Sequence, residues 1–224
     1  MEELGVKYDG EFRFIRNDST YDAPMFCIKS DNLGMLYDTI YTTVENYTFW
    51  SQTIYQLSHE FTHCFIYVNN RCSERTAWWI EETICEMMAY YFLKFFYNNW
   101  EKCDLGKYQP SYKQKILPYL ENELQNEKTK RLSKCSGYEE LMEIDKSAQE
   151  YRQDRRFEVI EMLEKFSSED VIGLFKYKDY VESNKRILDT KRYMEDYKAN
   201  ESVKYLCNIQ NRILMEKNTN IEVL

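Results

Sequence analysis

The spacing of hydrophobic and polar residues changes its period once along this chain, near residue 48. Before that point it alternates. Residues 11–16 set Phe12 and Phe14 against charged neighbours, 24–28 form a short apolar run, and 34–43 are rich in Tyr, Thr and Ile. Each reads as a short β-strand, and the polar stretches 17–20 and 30–32 read as turns. After that point Trp50, Ile54, Leu57, Phe61, Cys64 and Val68 recur at steps of three and four. That is one face of a helix, with Asn46 or Thr48 suited to its start and 69–71 to its end. A second helix is predicted over 76–97. It is apolar on nearly every side (Trp78, Trp79, Ile80, Ile84, Met87, Met88, Tyr91, Phe92) and so is expected to be buried.

Beyond a hinge expected at 104–106, the chain becomes rich in Lys and Glu with helical spacing. Helices are predicted at 111–125, 138–165, 168–183 and 185–215. The expected class is α+β. A lobe over 1–100 would carry a small mixed sheet and two long helices, and a helical lobe over 101–224 would close a cleft against it.

Composition narrows the function classes. With 6 Gly and 3 Pro among 224 residues, a turn-rich sandwich is disfavoured, and 20 Tyr with 12 Phe can fill a core. Net charge is −8, and no basic patch is interleaved with aromatics, so no nucleic acid partner is expected. The seven cysteines are odd in number and show no C-x-x-C pair. Neither a disulfide framework nor a Cys-based zinc site is expected, and the thiols read as reduced. Without an apolar leader or a run long enough to span a bilayer, the expected place is the cytoplasm, with no membrane partner. Oligomeric state is not readable.

The sharpest signal is at residues 59–63. The only two histidines, His59 and His63, stand four apart in H-E-F-T-H. Positions i and i+4 share a helix face, so both imidazoles can reach one zinc ion. Glu60 lies on the same rim and can act as general base without being a ligand. The flanking residues Gln56, Leu57, Ser58, Phe61, Thr62, Cys64 and Phe65 are uncharged, unlike those of a solvated helix. A catalytic zinc needs a third protein donor, and with no further His it must be a carboxylate or a thiolate. Glu82 follows His63 with eighteen residues between, inside W-I-E-E-T on the second helix. A carboxylate set among apolar residues needs a cation or strong donors. Glu86, one turn on, could orient a zinc-bound imidazole. The competing reading makes Glu81, Glu82 and Glu86 a solvated acidic face.

Residues 50–90, less than a fifth of the chain, resemble the gluzincin metallopeptidases. The nearest pattern is that of the aminopeptidase N-like catalytic unit, HExxH-x18-E with W-L-x-E about the third ligand. The resemblance implies a small sheet with a substrate-binding edge strand, a motif helix, a ligand helix and a helical lobe. It implies one zinc ion held by His59, His63 and Glu82, with Glu60 as base, Glu86 in an outer position, and a peptide or protein as substrate. A family tyrosine that steadies the oxyanion has its counterpart in Tyr151 of 151–163, with Tyr138 next. Thr43-Val44-Glu45-Asn46 is similar in letters to the family's amine-gripping strand, but it stands only fourteen residues before His59 and reads better as a strand end and helix cap. A competing class is a helical binding or scaffolding protein with a structural or silent metal site. A third is a short regulatory HExxH peptidase acting on one protein.

Overall fold

The computed structural model describes residues 12–16, 24–30, 36–44, 46, 48–70, 76–125, 132–148, 156–183 and 185–215. They are mostly helical with one small sheet, a general α+β arrangement. β1 (Phe12–Arg16), β2 (Met25–Ser30) and β3 (Leu36–Thr42) form a mixed sheet in the order β1-β3-β2. β3 runs parallel to β1, pairing Phe14 with Ile40, and antiparallel to β2, pairing Cys27 with Thr39. All three strands lie within two residues of the expected boundaries.

The helices are α1 (Trp50–Asn69), α2 (Trp78–Asn99), α3 (Asp104–Tyr108), α4 (Lys113–Gln125), α5 (Tyr138–Lys146), α6 (Arg156–Lys165), α7 (Val171–Phe175), α8 (Thr190–Asp196) and α9 (Glu201–Met215). The described residues fall into two compact units. One takes 66–70, 76–87 and everything from Leu132 on. The other takes the sheet, α1 up to Phe65, and Met88–Gln125. Helices α1 and α2 each run unbroken through a boundary between the units.

In the sheet-bearing unit, β3 is tied to α1 at two levels. The Thr43 N–H donates to Gln56 Oε1 at 3.0 Å and Gln56 Nε2 donates to Thr43 Oγ1 at 2.9 Å. The Cys64 thiol donates to Asp38 Oδ2 at 3.7 Å. Phe12 and Phe14 of β1 set their rings 4.7 and 5.8 Å from that of Phe61. Asn46 Oδ1 accepts the Thr48 N–H at 2.9 Å, an Asx turn leading into α1, which agrees with reading this segment as a cap. Asp104–Gly106 is not a hinge but the first residues of α3. A Cβ on Gly106 would stand 1.6 Å from the Trp100 carbonyl oxygen, so the glycine serves a close helix contact.

In the other unit α9 is the central element, contacting α5, α6, α7 and α8. Val203, Leu206, Ile209 and Ile213, spaced three and four apart, are its buried face. Three predicted long helices are broken here, the first, 138–165, into α5 and α6. Residues 168–183 form α7 between two 3-10 turns, with Gly173 packed so closely that a Cβ would meet Asn200 Nδ2 at 2.5 Å. Residues 185–215 start only at Thr190, capped by Asp189, and break before α9, where Asn200 Oδ1 accepts the Val203 N–H at 2.8 Å. Local side-chain caps of this kind interrupt helices that periodicity alone would run together.

Candidate metal centre

Helix α1 carries the H-E-F-T-H motif, and its burial pattern departs from the apolar stripe. Leu57 and Phe61 are half-buried and Val68 is 48% exposed, whereas His59 (0%) and Glu60 (1%) are sealed in. Ser51, Gln56, Ser58 and Thr62 are buried too. His59, Glu60 and Thr62 of the motif are as enclosed as the run Cys64–Ile66 that follows them. Polar groups are enclosed this way when they find partners or serve a site. Thr62 is satisfied locally, donating to the Ser58 carbonyl at 2.7 Å.

The His59 and His63 ring centroids are 5.1 Å apart. A zinc ion bound to one nitrogen of each ring at a tetrahedral angle sets the centroids ~5 Å apart, so this rotamer pair needs little change to share a metal. The Tyr55 ring, one turn before His59, lies 6.4 Å from the His59 ring and also meets Tyr90 and Tyr119, at 5.9 and 6.3 Å. Its i−4 spacing from His59 is the signal that marks Tyr55 in the sequence.

Glu60 is close enough to strand β2 for its negative charge to act on the Cys27 thiol. That thiol's pKa is raised, first by burial and then by Glu60, against the lowering effect of Lys29. β2 is an edge of the sheet, so the general-base candidate sits beside an edge strand.

Helix α2 begins with its donors capped from α5. The Trp79 N–H donates to Asp145 Oδ1 at 3.1 Å, and Arg186 holds the other Asp145 oxygen at 2.9 Å. A carboxylate here also suits the positive end of the helix dipole. Ten consecutive residues, Glu81 to Tyr90, are buried. Glu81, Glu82 and Glu86 are 4%, 2% and 1% exposed, so they do not form a solvated acidic face. Glu81 is committed elsewhere. It accepts the Tyr177 hydroxyl at 2.5 Å and pairs with Lys178 Nζ at 2.9 Å. Burial together with Glu81 holds the Tyr177 hydroxyl well above its ordinary pKa.

Among the described residues one group of donors could hold a metal ion: His59 and Cys85, both buried, with the half-buried His63, whose ligand atoms all lie within 4.8 Å of one another. The identity of the metal is not fixed by these donors alone. The Glu82 carboxylate is not in that group, although Glu82 stands three residues before Cys85 on the same helix. The sequence leaves a thiolate open as third donor, but spacing favours Glu82 over Cys85. The usable signal was its i+3 relation to Glu82 on a buried helix. Tyr151 lies outside the described residues. Tyr138 is 38% exposed and donates its hydroxyl to the Lys185 carbonyl at 3.1 Å.

No family model, curated protein or solved structure matches the chain. The likeness to gluzincins therefore rests on residues 50–90 alone, and the site is argued from its own chemistry. Among the described residues, Cys27, Cys64, Cys85, Cys103, Cys135 and Cys207 form no disulfide. No helix among the described residues is long and apolar enough to cross a membrane.

Proposed function

We propose that this chain is a zinc-dependent peptidase that uses His59 and His63 as metal ligands and Glu60 as general base. The observation that carries the reading is the pair of imidazoles on α1 with centroids 5.1 Å apart, beside a Glu60 that is 1% exposed. The donor set suits zinc, since imidazole nitrogens with a carboxylate or a thiolate make up its catalytic sites. When bound, zinc would supply Lewis acidity at the scissile carbonyl and to the attacking water.

The protein's own groups account for the remaining steps. Glu60, held in a site shielded from bulk water, takes a proton from the water and passes it to the leaving amine. Strand β2 is an open edge beside Glu60, and an extended peptide can add to such an edge through its main chain. Glu82 and Glu86 are buried on α2, where an ionised carboxylate calls for a cation or strong donors. As the resemblance implies, Glu82 is a candidate donor and Glu86 an outer partner, with Tyr151 the candidate for the oxyanion.

The test is Glu60→Gln. We expect the variant to keep one equivalent of zinc and to lose hydrolysis of a peptide panel by ~10²–10⁴-fold. Unchanged turnover would remove Glu60 from the chemistry. A second reading, a silent structural metal site in a binding protein, is favoured by one observation, the complete enclosure of His59. In that case chelation would unfold the protein while no substrate was ever found.

A further inference from the structure

Two imidazoles that share a metal must have their planes set beforehand, or part of the binding free energy goes into ordering them. The χ2 angle of histidine is broad and roughly two-fold, so neighbours have to set the plane. Along the histidine face of α1 the residues four apart are Ser51, Tyr55, His59 and His63. Long side chains on a helix lean toward its N-terminus, so the His59 ring lies over the turn that carries Tyr55. The three rings form a ladder. Tyr55 and His59 stand 6.4 Å apart with planes tilted by 37°, and His59 and His63 stand 5.1 Å apart at 63°. Both separations are those of aromatic side chains in contact, ~4.5–7 Å.

Tyr55 is itself fixed from two other helices. Its ring lies 5.9 Å from that of the fully buried Tyr90 of α2 and 6.3 Å from that of Tyr119 of α4. One turn earlier the Ser51 N–H donates to the Tyr112 hydroxyl oxygen at 3.2 Å, and Ser51 Oγ donates to the Lys115 carbonyl at 3.4 Å. The same face of α1 is thus tied to the start of α4. All of these residues belong to the sheet-bearing unit. A ring wedged in this way presents one face to His59.

We infer that Tyr55 is a positioning residue whose ring sets the plane of the His59 imidazole, and through it that of His63, for a shared metal ion. The aromatic ring carries the role, since a phenyl group offers His59 the same face. The inference rests on the metal reading above and does not depend on peptide hydrolysis.

Because the chain has only two histidines, each ring gives its own set of nitrogen signals in histidine-labelled protein. Long-range proton–nitrogen spectra of the full metal-free chain, assigned with His63→Asn, are recorded for the wild type, Tyr55→Phe and Tyr55→Leu, and zinc affinity is measured on each. The wild type should show cross-relaxation between the Tyr55 and His59 ring protons. Tyr55→Leu, folded by circular dichroism, should shift the His59 ring signals and lose zinc affinity by ~10–100-fold, the range seen when a group that orients a metal ligand is removed. Tyr55→Phe should restore the affinity. A Tyr55→Leu variant that binds zinc as tightly as the wild type would overturn the inference and leave the metal site standing. So would a Tyr55→Phe variant as weak as Tyr55→Leu, or weakened binding with unmoved His59 signals, which marks a packing role alone. Absence of cross-relaxation between the two rings in the wild type would overturn it even if Tyr55→Leu failed to fold. If the wild type bound no zinc, the metal reading and this inference would fall together.

Discussion

Replacing Lys178 with Met removes the cation beside Glu81 while keeping most of the stem that fills its space. The two side chains are 7% and 5% exposed and their charged atoms are 2.9 Å apart. At an effective dielectric of about 20, unit charges ~3 Å apart attract by ~5 kcal/mol, most of which is offset by desolvating both ions. Replacing the whole pair with apolar groups is therefore expected to be nearly neutral. Removing one partner leaves a buried charge and is expected to cost ~3–5 kcal/mol. Tyr177 still donates to Glu81 in the variant, which places the expected loss near the lower end, about 3 kcal/mol. Adding Glu81→Met and Tyr177→Phe removes the ion pair together with its hydroxyl donor, and the triple variant should return to within ~1 kcal/mol of the wild type. Urea unfolding followed by circular dichroism reads both values. If Lys178→Met cost less than ~1 kcal/mol, or the triple variant were no better than the single, the cluster would not be the buried ion pair described here. The result bears on the site, because Glu81 anchors the turn of α2 that carries Glu82 and leads into Cys85.

Gly106→Ala should cost at least ~2 kcal/mol in the same assay, since its Cβ would overlap the Trp100 carbonyl oxygen, whose closeness is set by the backbone. Alkaline pH should destabilise the fold in a defined window. Burial raises the Cys207 thiol from an ordinary 9.0 to about 12. A folded pKa above the unfolded one means this contribution is fully present below pH 9 and lost as pH rises toward 12. Urea midpoints should thus stay level in this respect up to pH 9 and fall above it, and Cys207→Ala should flatten that fall. Glu60→Gln separates binding from turnover, keeping the metal while losing hydrolysis, with zinc content and peptide cleavage measured on one preparation.

Much of the fold was legible because it follows from local periodicity. The alternation of Phe12 and Phe14 located β1, the step of three and four located α1, and the all-round apolarity of α2 foretold its buried run. Two things were not legible. Side-chain caps at Asp189 and Asn200 break a stretch whose apolar spacing looks continuous. The stripe of α1 also leaves out part of its buried face, since His59, Glu60 and Thr62 are enclosed while Leu57 and Phe61 are only half-buried and Val68 is exposed. Burial of polar residues is a tertiary outcome with no periodic signature.

At the site, the motif itself showed which helix face matters, because two histidines at i and i+4 are local geometry. The third donor was harder, because it depends on which residue of another helix turns toward the imidazoles. Spacing offers Glu82, and a thiolate remains open as an alternative. Glu81 could not be told from its neighbours until Lys178 and Tyr177, nearly a hundred residues away, were seen to engage it.

The central claim is that the two histidines bind one metal ion. Zinc titration of the metal-free chain, monitored by calorimetry beside His63→Asn, tests it most directly. The wild type should take up one equivalent tightly and the variant none at the same concentration. A wild type that binds no zinc, or a variant that still binds one equivalent as tightly, would contradict it.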